Sequence, residues 1–116
     1  MKVKIGNKFV GEGAPCFIAL EPGATFSNLE EAKEMIKFAS ESGADAIKFQ
    51  TFTPGEADRI MGKKDITVDF KTQSGKKQEL VFDALKRREL TIDEWKELVD
   101  KSIQSDVERH LIDSDI

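Results

Sequence analysis

Polar and apolar positions alternate from Lys2 to Val10 around Gly6-Asn7, which predicts two short strands joined by a tight turn. Gly11, Gly13 and Pro15 interrupt the pattern, and Cys16-Phe17-Ile18-Ala19-Leu20 then reads as a strand buried on both faces. The strand ends at Glu21. Pro22-Gly23 opens a loop, and Ser27-x-x-Glu30 has the form of a capping box that starts a helix near Leu29. Leu29, Ala32, Met35, Ile36 and Ala39 recur at helical spacing, with Glu30, Glu31, Lys33, Glu34 and Lys37 facing water and Gly43 as a left-handed stop. A second apolar strand follows within Ala44 to Phe52, centred on Ala46-Ile47-Lys48-Phe49.

Strand, helix and strand within about 30 residues favour a parallel pair, which puts the chain in the α/β class. From Thr53 to Gly75 the pattern weakens, with Ile66 to Phe70 as a short extended piece, and this predicts an excursion above the sheet. Lys76 to Arg88 recovers helical spacing through Leu80, Val81, Ala84 and Leu85. Thr91-x-x-Glu94 is a second capping box, and Trp95, Leu98, Val99 and Ile103 share a helical face that Val107 and Leu111 extend.

The length of 116 residues, with 39% apolar and 34% charged residues, fits one domain spanning 1–116. Eighteen basic against 22 acidic residues give a net charge of −4, which offers no general attraction for nucleic acid or an anionic membrane. No stretch approaches the roughly 20 apolar residues of a membrane span, and no signal peptide is recognisable at the start, so a cytoplasmic protein is expected. The lone cysteine, Cys16, allows no internal disulfide and packs in an apolar strand, while the lone histidine, His110, sits on the last helix in a packing or solvent-facing role. Lys63-Lys64, Lys76-Lys77 and Arg87-Arg88 are interrupted by acidic residues and read as a solvated face. Trp95 reads as a core anchor.

Candidate chemistry follows from strand parity. Lys48 and Gln50 share one face of the second strand, while Ile47 and Phe49 share the other. Glu21 and Lys48 both fall at the carboxyl ends of parallel strands, where α/β proteins build ligand sites. A charge in a sheet-lined cavity is costly unless it is paired or used. A Glu21–Lys48 ion pair that only fixes the fold, or a lysine snorkelling at the rim, explains the same residues.

Cys16-Phe-Ile-Ala-Leu-Glu21-Pro-Gly23, Leu29-Glu-Glu-Ala-Lys33 and above all Gly43-Ala-Asp-Ala-Ile-Lys-Phe-Gln-Thr51 resemble the start of the N-acetylneuraminate (sialic acid) synthase family. Leu90 to Leu98 resembles the helix leading toward that family's third barrel strand, so the likeness spans residues 1 to 103. The family's catalytic domain is a (β/α)8 barrel, typically of about 250 residues. The resemblance thus implies a partial TIM-barrel-like βαβ unit with an N-terminal β-hairpin and further C-terminal helices, from a truncated or shortened homologue. Family members condense phosphoenolpyruvate with an N-acylated amino sugar such as N-acetylmannosamine, using a divalent metal, Mn or Mg. Lys48 matches the lysine that contacts phosphoenolpyruvate, Gln50 is assigned to a sugar hydroxyl or to orienting Lys48, and Glu21 matches the acidic catalytic-site residue after strand one.

Two departures stand out. Thr25-Phe26 replace an Asn-His pair that follows Glu-x-Gly in the family, placing a hydroxyl and a phenyl ring at the site rim. The family's metal-binding histidines lie much later, so no metal ligand or cofactor is expected in this chain. A second reading is a non-catalytic interaction module that self-associates through the unpaired edges of two parallel strands. A third is an aldolase-like fragment in which Lys48 forms a Schiff base.

Overall fold

The computed structural model describes residues 1–23, 25–105 and 108–113, the last of these as backbone only. Strands β1 (Lys2–Ile5) and β2 (Lys8–Gly11) pair antiparallel with Ile5 opposite Lys8, so Gly6-Asn7 makes the expected turn. Strand β3 (Ala19–Gly23) leads through helix α1 (Leu29–Glu41) to the parallel strand β4 (Ala46–Thr51). Asp45 ties the first hairpin to this unit: its carboxylate pairs with Lys8 and accepts the Ile18 N–H at 2.7 Å.

Helix α2 (Glu56–Ile60) and strand β5 (Thr67–Thr72) lie in the segment Thr53 to Gly75 where the pattern weakens, and β5 pairs antiparallel with β6 (Gly75–Leu80), which runs into helix α3 (Val81–Lys86). Helix α4 (Ile92–Gln104) returns the chain, and β7 (Glu108–Asp113) joins the sheet parallel to β4, giving the order β3-β4-β7. A parallel sheet with its connecting helices is the expected partial barrel unit, with three strands among the described residues where the sequence predicts two.

Five sequence expectations change. The first apolar strand runs from Ala19 to Gly23, so Cys16 is exposed outside it and does not pack in a strand. The first helix is capped one residue later than Ser27: Asn28 accepts the Glu31 N–H at 2.9 Å, and the Glu31 carboxylate accepts the Ser27 N–H at 2.7 Å. The predicted helix over Lys76–Arg88 is a strand for its first part, because Gly75, at φ 117°, turns the chain back onto β5. The last helix stops at Gln104, and the backbone of His110 and Leu111 lies in a strand, while Val107 lies outside the described residues. Phe26 does not stand at a site rim: it is completely buried.

The core explains that last change. Ile47 and Phe49 project from one face of β4 against Ala32, Ile36 and Ala39 of α1 and Trp95 and Leu98 of α4. Phe26 meets Phe49 and Trp95 edge to face at 5.8 and 5.9 Å between ring centroids. The Trp95 indole donates to the Phe52 carbonyl at 3.0 Å, satisfying the polar end of a buried anchor. Lys33 bridges Glu30 and Glu97, each at 3.0 Å, and so links the outer turns of α1 and α4. At the end of α1, Gly43 (φ 74°) donates to Ser40 and Ala44 donates to Ala39, a Schellman stop that frees the chain to enter β4. Thr91 and Glu94 form the expected capping box of α4.

Candidate functional site at the carboxyl ends of the parallel strands

The pairing of β3 with β4 is interrupted between Leu20 and Gly23: Leu20 lies opposite Ile47, and Gly23 lies opposite Phe49. Three steps on β3 match two on β4, so one residue is extra. Pro22 has no N–H to give to a ladder, and a bulge is the local solution. Bulges re-aim side chains, and here Glu21 meets Lys48, Oε1 to Nζ, at 2.6 Å. Gln50 lies farther along β4 against Gly23, its Oε1 3.9 Å from where a Cβ on Gly23 would stand. Gly23 has φ 63°, so the turn favours glycine, while the space beside Gln50 would admit a Cβ at ordinary contact distance. The three sequence-predicted residues therefore gather at the carboxyl ends of neighbouring strands.

Exposure bears on the alternatives left open for the ion pair. The Lys48 side chain is 30% exposed and that of Glu21 is 54% exposed. A pair this open to water contributes about 0–1 kcal/mol to stability. An ammonium held by one hydrated carboxylate can exchange that partner for an anion at little cost. Thr25, the other departure from the family pattern, donates its hydroxyl to the Pro22 carbonyl at 3.0 Å and so closes the turn beside the bulge.

A cleft of about 530 Å³ lies at the other end of these strands, under the first hairpin, lined in part by Lys8, Phe9, Cys16, Phe17 and Asp45. The strand ends that carry Glu21 and Lys48 are the better site, because loops at the carboxyl ends build the ligand sites of α/β folds. A cavity of about 310 Å³ adjoins Glu21 on the helix side, walled by Leu20, Met35, Phe38 and Ile47.

Two carboxylates that the sequence reading passed over lie just beyond the site, in the connection that follows β4. Glu56 is buried, accepting the Thr53 N–H at 2.5 Å and the Arg59 guanidinium at 2.8 Å. The Glu89 side chain is 6% exposed. Burial raises the Glu89 pKa, but the backbone amides of Ala57 and Gly55 and the Lys86 ammonium outweigh that effect and hold it below the usual carboxylate value. The available signal was acidic residues at the first helical position after Pro54-Gly55 and just before the Leu90-Thr91 cap, positions where carboxylates serve backbone amides.

Two of the paired basic residues are neutralised by neighbours. Lys64 pairs with Asp58 at 2.5 Å and stands 4.4 Å over the Phe82 ring, and Arg87 forms a two-point bond with Glu79 at 2.7 and 2.9 Å. Among the described residues no three His, Cys, Asp or Glu side chains cluster as metal ligands. The donors at the strand ends do not fit a divalent cation either, since the one carboxylate there is held by an ammonium. No described helix is long and apolar enough to cross a membrane.

Comparison with known proteins bears on the same segment. Residues 35–110 match the model of the NeuB family, a span that includes Lys48 and Gln50. The N,N'-diacetyllegionaminic acid synthase of Legionella pneumophila is 36% identical over 87 residues, which is 74% of this chain and 24% of that protein. The spore coat polysaccharide biosynthesis protein SpsE of Bacillus subtilis is 46% identical over 74 residues, 63% of this chain and 18% of that one. The crystal structure of the N-acetylneuraminic acid (sialic acid) synthetase of Leptospira borgpetersenii, in complex with citrate, superposes with a TM-score of 0.70 at 22% identity. That match covers 100% of this chain and 35% of the synthetase, and it places the fold within a sialic acid synthase barrel. The chain thus spans about a quarter or less of the length of the two relatives matched by sequence.

Proposed function

The chain belongs to the NeuB family, and from that premise we propose that it supplies the phosphoenolpyruvate-binding corner of a sialic-acid-synthase-type reaction. The reaction joins phosphoenolpyruvate to an N-acyl amino sugar such as N-acetylmannosamine, in the cytoplasm, with residues 1–116 acting as one domain. The observation that carries the reading is the accessible Glu21–Lys48 pair at the carboxyl ends of two parallel strands.

The chemistry asks for what this corner offers. The enol carbon of phosphoenolpyruvate attacks the open-chain sugar aldehyde and forms the new C–C bond. Water adds to the resulting cationic carbon, and phosphate departs with the former enol oxygen. Throughout, negative charge on the phosphate and carboxylate must be held in place, and the compact, flexible ammonium of Lys48 does this as a point charge. Binding of the anion draws Lys48 away from Glu21, whose carboxylate then accepts a sugar hydroxyl. Gln50, on the same face of β4 as Lys48, supplies an amide for a second hydroxyl. A divalent ion, Mn or Mg, would supply polarisation of the aldehyde, and the residues gathered at these strand ends would not hold it.

Titration with phosphoenolpyruvate, followed by calorimetry, tests the assignment. A charge-assisted hydrogen bond is worth about 1.5–3 kcal/mol, so Lys48→Ala is expected to weaken binding by roughly 10- to 150-fold. Equal affinity in the two proteins rejects it. A second reading, self-association, is favoured by apolar side chains just before β3, on β3 and on α1: Ile18, Leu20 and Phe38 are 52%, 38% and 59% exposed. Light scattering over a dilution series is expected to show a mass that falls with dilution, and a compact monomer at every concentration removes this reading.

A further inference from the structure

We infer that Glu89 is a positioning residue for the end of β4 that carries Lys48 and Gln50, acting through the loop that follows the strand. The inference rests on the functional reading above for its ligand, and on the backbone for its geometry. Strand β3 pairs with β4 only as far as Phe49, so the course of Gln50 and Thr51 depends on β7 and on what holds the chain beyond them. That grip comes from the turn between α3 and α4. The Phe52 carbonyl accepts two donors from this side, the Leu90 N–H at 2.9 Å and the Trp95 indole at 3.0 Å. Glu89 takes the Ala57 N–H at 2.9 Å and the Gly55 N–H, and Glu56 closes the intervening turn through the Thr53 N–H.

The result is a bracket. Pro54 has no N–H to offer, and every backbone N–H from Thr53 to Ala57 is accepted within the loop or by Glu89. Glu89 is the one member of the bracket whose side chain reaches from a separate segment to two amides, both at the start of α2. Because it is almost wholly buried, removing the carboxylate leaves two amides unsatisfied and water has little access to replace it. The loop then loses its fixed course, and the strand end carrying Lys48 and Gln50 loses it too.

The experiment compares wild type with Glu89→Ala, Glu89→Gln and Lys86→Met by amide hydrogen exchange and by phosphoenolpyruvate titration of the whole chain, both read by NMR. In Glu89→Ala, exchange at Gly55 and Ala57 is expected to accelerate at least tenfold, the Lys48 and Gln50 amide signals to shift, and affinity for phosphoenolpyruvate to fall at least threefold. Glu89→Gln keeps a carbonyl acceptor and is expected to restore part of all three. Lys86→Met, which removes the ammonium that pairs with Glu89 and Asp58 but no acceptor of the two amides, is expected to leave the Gly55 and Ala57 exchange unchanged. Unchanged Lys48 and Gln50 signals in both Glu89 variants, or unchanged affinity with an opened loop, overturn the inference. So does an equal effect of Lys86→Met. If Glu89→Ala loses the core signals of Ile36 and Leu98, Glu89→Gln carries the decision alone. Wild-type protein that ignores phosphoenolpyruvate rejects the functional reading, and the Lys48 and Gln50 signals in the ligand-free variants then decide the positioning role by themselves.

Discussion

The two faces of β4 are built for opposite purposes from alternate residues of one short strand. Ile47 and Phe49 are 1% and 2% exposed, and they pack against two helices and two further aromatic rings. Lys48 and Gln50, their neighbours in sequence, meet one hydrated carboxylate and a glycine. Period-two alternation makes this division possible, since each residue type can change without altering what lies behind it. Stability and anion affinity should therefore respond to different substitutions in the same six-residue strand.

The largest expected effect lies on the packed face. Phe49→Ala removes a ring that contacts both Phe26 and Trp95, and truncations of this kind cost about 3–5 kcal/mol. Urea denaturation followed by Trp95 fluorescence measures it. A loss below about 1 kcal/mol would mean that the aromatic cluster collapses around the vacancy and that this face is less specific than its geometry implies.

A smaller, pH-dependent effect belongs to Asp45, immediately before β4. Bonds from Lys8 first and the Ile18 N–H second hold its pKa below the usual carboxylate value, more than burial raises it. The folded state thus binds this proton less readily than the unfolded chain, whose Asp titrates at about 3.9. The stabilisation is fully present above that value and is lost as pH falls through the lower folded pKa. Melting curves of wild type and Asp45→Asn should be separated at neutral pH and converge in acid. Curves that remain parallel down through the carboxylate range would show that Asp45 acts by shape and not by charge.

How much of this was legible in sequence depended on whether local pattern or distant pairing decided the outcome. The first hairpin, α1, β4 and the Thr91 cap follow from spacing within a few residues, and Glu21 and Lys48 could be brought together by parity and the end rule for α/β strands. Gly75-Lys-Lys-Gln-Glu-Leu80 contains good helix formers, yet its partner β5 lies across a turn, and pairing overrides propensity. Val107 and Leu111 continue a helical spacing beyond Ile103, with His110 on the same expected helix, but the backbone of Glu108–Asp113 pairs with the open edge of β4 as a strand. Phe26 reads as a rim residue because it stands where the family carries a polar Asn-His pair, and only the position of Trp95, far along the chain, shows why it turns inward. Glu89 was the least legible, since a carboxylate that serves backbone amides has the same letter as one that faces water.

The smallest expected effect on stability is also the sharpest test of the division between the faces. Lys48→Met keeps most of the apolar stem and removes the ammonium, leaving Glu21 half in water and able to recover its hydration. Substitutions at sites this open usually change stability by within about 0.5 kcal/mol. The same urea titration is therefore expected to overlay wild type, while affinity for phosphoenolpyruvate falls as it does in Lys48→Ala. The two measurements are independent, and their combination is what matters. Loss of affinity without loss of stability assigns Lys48 to ligand binding. A loss of about 2 kcal/mol or more would return the Glu21–Lys48 pair to the role of a structural clasp, because an uncompensated charge costs that much only where water cannot reach it.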